Sequence, residues 1–372
     1  MMRRVIEVLQ PQRLQTGTGA AGFVAGLLAD TGRTRPVVIA DAFNATRLDA
    51  LGLDPATPCH PVAPEPDTDG LAGALQAARA AQPDVIIGFG GGSAMDMAKL
   101  VAVMVGNSLG FDDVSGPGRA PSRSVMLVQV PTTAGTGSEA GTRALLTEPG
   151  TMRKIATESP HMLADLVVLD PELTLSLPPA ITAATGIDAL AHCVEVFTSR
   201  RAHPMIDGFA LQGIRLIGQN LHNAVHNGND SSARAAMLLA SYYGGVGLGP
   251  VNTTAGHAVA YPLGTRHHLP HGLANALIFP HTLAANLSEC PEKTAQICDA
   301  LGFAATDEAA VRDGAIAWCE SLGLDMCLRA HNVPETDLPE MAAEAHAIRR
   351  LLDFNPRDLS AGDILELYKA AY

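Results

Sequence analysis

Short apolar runs alternate with helix-forming stretches up to about residue 171 of this chain, and then the runs stop. The runs are PVVIAD (36–41), DVIIGFG (84–90), SVMLVQV (124–130) and LVVLDP (166–171). Between them, LAGALQAARAA (71–81) and SAMDMAKLVAVMV (93–105) have helical composition. A strand that reads as a continuous β-branched run is buried on both faces, and parallel neighbours need a crossover, usually a helix. The alternation therefore predicts an α/β fold with a parallel sheet covered by helices. After Asp170-Pro171 the chain turns to Ala/Leu-rich stretches at 205–226, 231–247, 272–288, 292–301, 307–322 and 336–352, which predict an all-helical part. A length of 372 residues exceeds what one core usually serves. The expected organisation is an α/β domain over 1–172 and an all-helical domain over 173–372.

The charge balance narrows the partners. Thirty-eight acids against 25 Lys and Arg give a net charge of −13, which argues against nucleic acid or an anionic membrane surface as a general partner. No stretch reads as the roughly 18 apolar residues of a membrane span, and MMRRVIEVLQPQRLQ lacks the apolar core of a signal peptide. The six cysteines show no C-x-x-C spacing and read as reduced core thiols, so the expected location is cytoplasmic. Cys193 points away from the ligand face of its helix and reads as packing. A homodimer is the base-rate expectation for assembly.

Two loops follow apolar strands. In GFGGGSAMD (88–96) a strand runs into glycines and then a helix, with Ser93 as the expected N-cap and Asp96 as its capping-box partner. Gly90, Gly91, Gly92 and Ser93 suit a diphosphate, because glycines allow close backbone approach and a helix N-terminus offers free N–H groups. The spacing is not G-x-G-x-x-G, so a plain tight turn stays open. PTTAGTGSEAG (131–141) places Thr132, Thr133, Thr136 and Ser138 at a strand's carboxyl end, where open α/β sheets bind ligands. Asp41 ends its strand. Such an acid accepts from ribose hydroxyls and repels a 2′-phosphate, selecting NAD over NADP, but a helix cap explains it equally well.

GIDALAHCVEVF (186–197) poses a harder problem. It reads as a buried helix, yet Asp188 and His192 share one face a turn apart. Burying both costs several kcal/mol, roughly, unless something compensates them. NTTAGHAVAYPLGTRHHLPHGLAN (252–275) supplies His257 and His271. One carboxylate and three imidazoles form a natural set for a divalent transition metal. Spacing alone leaves a hydrogen-bonded core cluster as the alternative.

The segments GFGGGSAMDMAK, PTTAGTGSEAG, VLDPELTLSLPPAITAATGIDALAHCVEVF and GHAVAYPLG…HHLPHGLANA resemble the iron-containing (group III) alcohol dehydrogenase family, and the likeness spans almost the whole chain. The resemblance implies a dinucleotide-binding domain, a helical domain and a cleft between them. It implies Asp188, His192, His257 and His271 as metal ligands, and Gly90 to Ser93 at the diphosphate. Thr132, Thr133 and Thr136 would line the nicotinamide side, Asp41 would favour NAD, and Lys154 would sit near the adenosine. The implied metal is Fe²⁺, with Zn²⁺ next, since a His-rich N/O set accommodates both. The implied activity is NAD-linked alcohol dehydrogenation or aldehyde reduction on a small substrate. The rivals are a non-redox metal- and NAD-using enzyme on the same scaffold, such as a dehydroquinate synthase, and a binding module without turnover. Many members carry a histidine four residues after the third ligand; here Tyr261 stands there. A phenol releases its proton less readily than an imidazolium at neutral pH, so solvent, Tyr261 or His267 would carry the proton. Arg266, His267 and His268 beside the metal segment would suit an anionic substrate, with an ordinary solvated loop as the alternative reading.

Overall fold

The computed structural model describes residues 5–150, 153–304 and 306–372. Two compact units emerge. One contains Val8–Thr133 and Gly137–Leu175; the other contains Ser176–Tyr372 and the short stretch Ala134–Thr136.

In the first unit six parallel strands form one sheet. They are β1 (Arg13–Thr16), β2 (Pro36–Asp41), β3 (Cys59–Val62), β4 (Val85–Gly90), β6 (Met126–Pro131) and β9 (Leu166–Leu169), in the order β1-β9-β6-β4-β2-β3. A second, three-stranded sheet joins β5 (Gly116–Pro117), β8 (Arg153–Glu158) and β7 (Arg143–Glu148), with β7 antiparallel to β8. The four apolar runs are β2, β4, β6 and β9, as their composition predicts. Val38, Ala40, Val85, Ile87, Phe89, Val128 and Val130 pack on one face against Val24 and Leu28 of helix α1 (Val24–Asp30). Each fully buried Val, Leu or Ile contributes roughly 1.5–3 kcal/mol relative to exposure. Helix α2 (Thr68–Ala81) and helix α3 (Gly92–Met104) form crossovers, and α3 is buried from Ala94 to Met104 apart from Asp96. A short helix, α4 (Phe111–Val114), follows.

Topology fixes where a ligand belongs. From β2 the chain places β3 on one side and β4 on the other, so the strand order reverses between β2 and β4. The register pairs Ala40 with Phe89 and Gly90 with Pro131, so Asp41, Gly90 and Pro131 end level. Open α/β sheets bind ligands at the carboxyl ends beside such a reversal.

The second unit is helical. Its helices are α5 (Pro179–Thr198), α6 (Pro204–His226), α7 (Ser231–Leu248), α8 (Ala255–His267), α9 (His271–Ala285), α10 (Pro291–Leu301), α11 (Glu308–Ser321), α12 (Leu338–Ala347), α13 (Arg349–Leu352) and α14 (Ala361–Ala370). Pro178 and Pro179 start α5, where proline's fixed φ suits a first turn. Val259, Leu263, Leu277, Ile278, Met341 and Tyr368 centre a core shared by α8, α9, α12 and α14. The Tyr368 hydroxyl donates to the Val259 carbonyl at 2.6 Å. Against expectation, one segment among the described residues does reach membrane-spanning length and apolarity: α5. It is buried over most of its length within its own unit and carries Asp188, His192 and Glu195.

Candidate functional site: a metal centre and a glycine-rich turn

Helix α5 presents Asp188, His192 and Glu195 at i, i+4 and i+7, one stripe on one face. All three are buried. Helix α8 brings His257 in its first turn, and α9 begins at His271. The ligand atoms of Asp188, His192 and His257 lie within 4.8 Å of one another. The His192 and His257 Nε2 atoms are 3.0 Å apart, and Asp188 Oδ1 lies 3.6 Å from both His257 Nε2 and His271 Nε2. Tetrahedral ligands held at about 2.1 Å from one ion stand roughly 3.4 Å from each other. The His271 side chain is 44% exposed, which makes its side of the cluster the accessible one.

The protonation pattern follows from the neighbours. His192 Nδ1 is 3.2 Å from the Gly135 carbonyl, which only accepts, so Nδ1 carries the proton and Nε2 turns its lone pair inward. His257 Nδ1 donates to Glu195 Oε1 at 2.6 Å, fixing the same tautomer. Two inward lone pairs 3.0 Å apart repel unless a cation or a proton stands between them. A carboxylate behind a histidine is the usual second partner of a metal-binding imidazole. The donor set therefore fits a divalent cation.

Glu195 is itself compensated. Its Oε2 accepts from the Thr254 N–H, from Thr254 Oγ1 at 3.1 Å and from the His257 N–H at 3.4 Å, which caps the start of α8 from another helix. Only glycine fits at 256: a Cβ there would stand 2.7 Å from Glu195 Oε1. Burial works to raise the Glu195 carboxyl, but His257 and the Thr254 N–H outweigh it and hold it low. Burial likewise opposes Asp188, where His192, His271 and His257 win and keep it ionised. Burial pushes the His192 imidazole down to about 4. It works the same way on His257, but Glu195 and Asp188 outweigh it and raise that group.

Asn275 completes the cluster. One turn after His271, its Nδ2 donates to Asp188 Oδ1 at 2.7 Å and lies 3.2 Å from both His257 Nε2 and His271 Nε2. Its Oδ1 is buried without a hydrogen-bond partner. Neither Glu195 nor Asn275 is anticipated from sequence. The i+7 continuation of the Asp188/His192 stripe would have flagged Glu195; an amide sends no metal-ligand signal.

Tyr261 lies one turn beyond His257, its ring centroid 6.1 Å from that of His271. His267 is elsewhere. Ten residues along α8 put it about 15 Å from His257 by helical rise, and its Nε2 faces Asp337 Oδ2 at 3.6 Å. Arg266 is tied at 2.6 Å to both Glu340 and Glu344, so its charge is spent within the fold rather than offered to an anionic substrate. His268 adopts a left-handed conformation at the end of α8. Cys193 is buried, with burial raising its thiol to about 12, consistent with packing. Cys298 and Cys319 are also buried, but Cys59, Cys290 and Cys327 are only partly so, which corrects the reading of all six as core thiols.

On the first unit, Gly90 has φ +152° and ends β4. A Cβ at Gly90 would lie 2.6 Å from Asp41 Oδ2, so the backbone there is bare. Helix α3 starts at Gly92 with Gly91 as N-cap and no side-chain cap, leaving its first N–H groups for an anion. Ser93 is thus not the cap. Asp96 is not its partner either, because that carboxylate accepts from Ser138 Oγ at 2.5 Å and the Leu145 N–H at 2.9 Å. Asp41 Oδ1 accepts from the Phe43 and Asn44 N–H groups at 3.0 and 2.9 Å, and Oδ2 from Asn44 Nδ2 at 2.7 Å. It caps the turn after β2. Asn44 Nδ2 also donates to the buried Thr132 Oγ1 at 3.1 Å, and Thr133 lies against Gly91. Thr136 falls in the stretch assigned to the helical unit. Lys154, on β8, forms an ion pair with Glu65.

Below the 131–141 loop, Lys99 is fully buried. Its Nζ donates to Ser138 Oγ at 2.8 Å and to the Arg143 carbonyl at 2.7 Å, with Asp96 Oδ1 at 3.6 Å. Beside it burial lifts the Glu139 carboxyl to about 7.

Comparison with known proteins assigns the chain to a family. Residues 11–171 match the iron-containing alcohol dehydrogenase family model, and residues 182–372 match the C-terminal model of the same family. Long-chain-alcohol dehydrogenase 1 of Geobacillus thermodenitrificans is 37% identical over 320 residues, covering 84% of this chain and 80% of the relative. The crystal structure of a 1,3-propanediol oxidoreductase superposes with a TM-score of 0.91 at 31% identity, covering 99% of this chain and all of that one. Sulfoacetaldehyde reductase of Bifidobacterium kashiwanohense, solved with NAD⁺, gives 0.90 at 27%, covering 99% of both chains. The fold and the two family models define an alcohol–carbonyl oxidoreductase scaffold. This chain belongs to the iron-containing alcohol dehydrogenase family and is an oxidoreductase of the alcohol–carbonyl class.

Proposed function

We propose that Asp188, His192, His257 and His271 hold one divalent cation, Fe²⁺ by the family's pattern with Zn²⁺ next, and that NAD is the redox partner. The observation that carries this is the convergence of three buried ligand atoms within 4.8 Å, with His271 beside them. The bound groups supply polarisation of the substrate oxygen by the cation and hydride exchange with the nicotinamide. Glu195 and the Gly135 carbonyl hold His257 and His192 with Nε2 inward. Asn275 keeps the Asp188 carboxylate in register. The bare turn from Gly90 to Ser93 takes the diphosphate at the start of α3, and Thr132, Thr133 and Thr136 serve the nicotinamide side. Asp41, already accepting three hydrogen bonds, retains acceptor capacity for a ribose hydroxyl and selects against a 2′-phosphate. Lys154 neighbours the adenosine side. Tyr261 is a proton-handling side chain near the exposed ligand His271, and its hydroxyl both donates and accepts.

Support for NAD comes from the complexed sulfoacetaldehyde reductase and from the acid at the end of β2. The test is a screen of alcohols with NAD⁺ and aldehydes with NADH, using protein loaded with each metal in turn. Net gain or loss of NADH absorbance is expected. Turnover of a substrate with no net change in NADH would favour the non-redox rival.

A further inference from the structure

We propose that Arg350 is the substrate-recognising cation of this site, so that the preferred carbonyl substrates are short aldehydes bearing a carboxylate or sulfonate; this rests on the dehydrogenase reading above. The ligand cluster is accessible on the His271 side. The Tyr261 ring lies 6.1 Å from the ring of His271, the exposed ligand, and the Arg350 guanidinium carbon stands 5.7 Å from the Tyr261 ring centroid. These two contacts in series put the guanidinium at most about 12 Å from the His271 ring. A guanidinium over an aromatic face is held there by about 0.5–1 kcal/mol at an exposed position.

The backbone below it is anchored. Arg350 lies on α13, whose Leu351 and Leu352 are buried in the core shared with α8, the helix that carries His257 and Tyr261. Charge pairing singles this arginine out from its neighbours. Arg266 is bound by Glu340 and Glu344, and Arg349 by Asp353 with Asp358 at 3.7 Å. Among the described residues no carboxylate lies within 4 Å of Arg350, although the chain carries a net charge of −13. An exposed arginine without a carboxylate in an acidic protein, stacked on the Tyr261 ring that neighbours the exposed ligand His271, offers the planar fork that carboxylates and sulfonates need. A substrate of two to four carbons, its carbonyl toward the ligand set and its anion toward α13, is of a length within that limit.

The test uses the full chain loaded with metal. Reduction of sulfoacetaldehyde and of propanal by NADH is compared for the wild type, Arg350→Gln, Arg350→Lys and, as a remote control, Arg312→Gln. The wild type is expected to favour the anion. Arg350→Gln should lower the anion-to-neutral ratio of kcat/KM at least tenfold, mainly through KM. Arg350→Lys should recover part of it, and Arg312→Gln should leave it unchanged. Calorimetric titration with ethanesulfonate, which does not react, should show at least fivefold weaker binding in Arg350→Gln. A ratio within twofold of wild type, or unaltered ethanesulfonate binding, overturns the proposal. Absence of NADH oxidation with every carbonyl tried would instead overturn the dehydrogenase reading, and the calorimetry would still decide on Arg350.

Discussion

A buried carboxylate and two buried imidazoles, Asp188, His192 and His257, stay buried because each has polar neighbours that compensate it. Glu195 shows the principle most fully: one oxygen takes the His257 Nδ1–H, and the other caps the start of α8. Glu195→Gln removes that charge while keeping the shape. It should weaken divalent-metal binding 10- to 100-fold, read by titration of the metal-free protein. Binding as tight as in the wild type would mean that Glu195 does not act through His257. Glu139 makes a separate, pH-dependent contribution. Its folded value of about 7 lies above its ordinary value of 4.5, so the native chain keeps a proton that the unfolded chain releases. Stability from this group is present below pH 4.5, declines as pH rises through 7, and is gone above it. At pH 8 Glu139→Gln should therefore gain in stability relative to wild type compared with pH 5, by about 3 kcal/mol at most. Thermal midpoints at the two pH values check the sign, and a constant difference would contradict it. The four residues proposed as metal ligands stood out at this scale because Asp and His interrupt apolar helices. Asn275 was not, since a buried amide looks the same in sequence whether it touches a ligand set or a backbone.

Among the elements, the network around Lys99 ties α3 to the loop after β6. Lys99→Met leaves the Asp96 carboxylate without its cation in a mostly buried setting and should cost about 3 kcal/mol, in the range for breaking one side of a buried pair. The double variant Asp96→Asn with Lys99→Met should recover part of the loss, read as the urea midpoint. An unshifted midpoint in Lys99→Met would show that the buried lysine carries no load. Strands β2, β4, β6 and β9 were legible because burial on both faces leaves an uninterrupted apolar run. RLQT and CHPV, the edge strands β1 and β3, are short and mixed, so no pattern marks them. RALLTE and RKIATE form an antiparallel pair whose charged ends hide it from a search for apolar runs. The Ser93 cap was misread because Gly91 starts the helix earlier and the Asp96 carboxylate is drawn to Ser138 and Leu145.

At the scale of the whole molecule, the family match covers both the α/β unit and the helical unit. The change of character after residue 171 was visible as the loss of apolar runs. What the sequence did not display is that Ala134–Thr136 groups with the helices, because that follows from the Gly135 carbonyl meeting His192. A site built this way should couple metal to folding. A divalent ion at a hundredfold excess over its dissociation constant should add about 2.7 kcal/mol of stability, seen as a rise in Tm that His257→Ala abolishes. The most direct test of the ligand set is metal analysis of dialysed protein beside NADH-linked turnover, for wild type, His192→Ala and His257→Ala. One ion per wild-type chain is predicted, with ion and turnover lost together in both variants, and turnover lost on chelation and restored by the ion. Full turnover in metal-free wild type, or one ion retained by both variants, would contradict it.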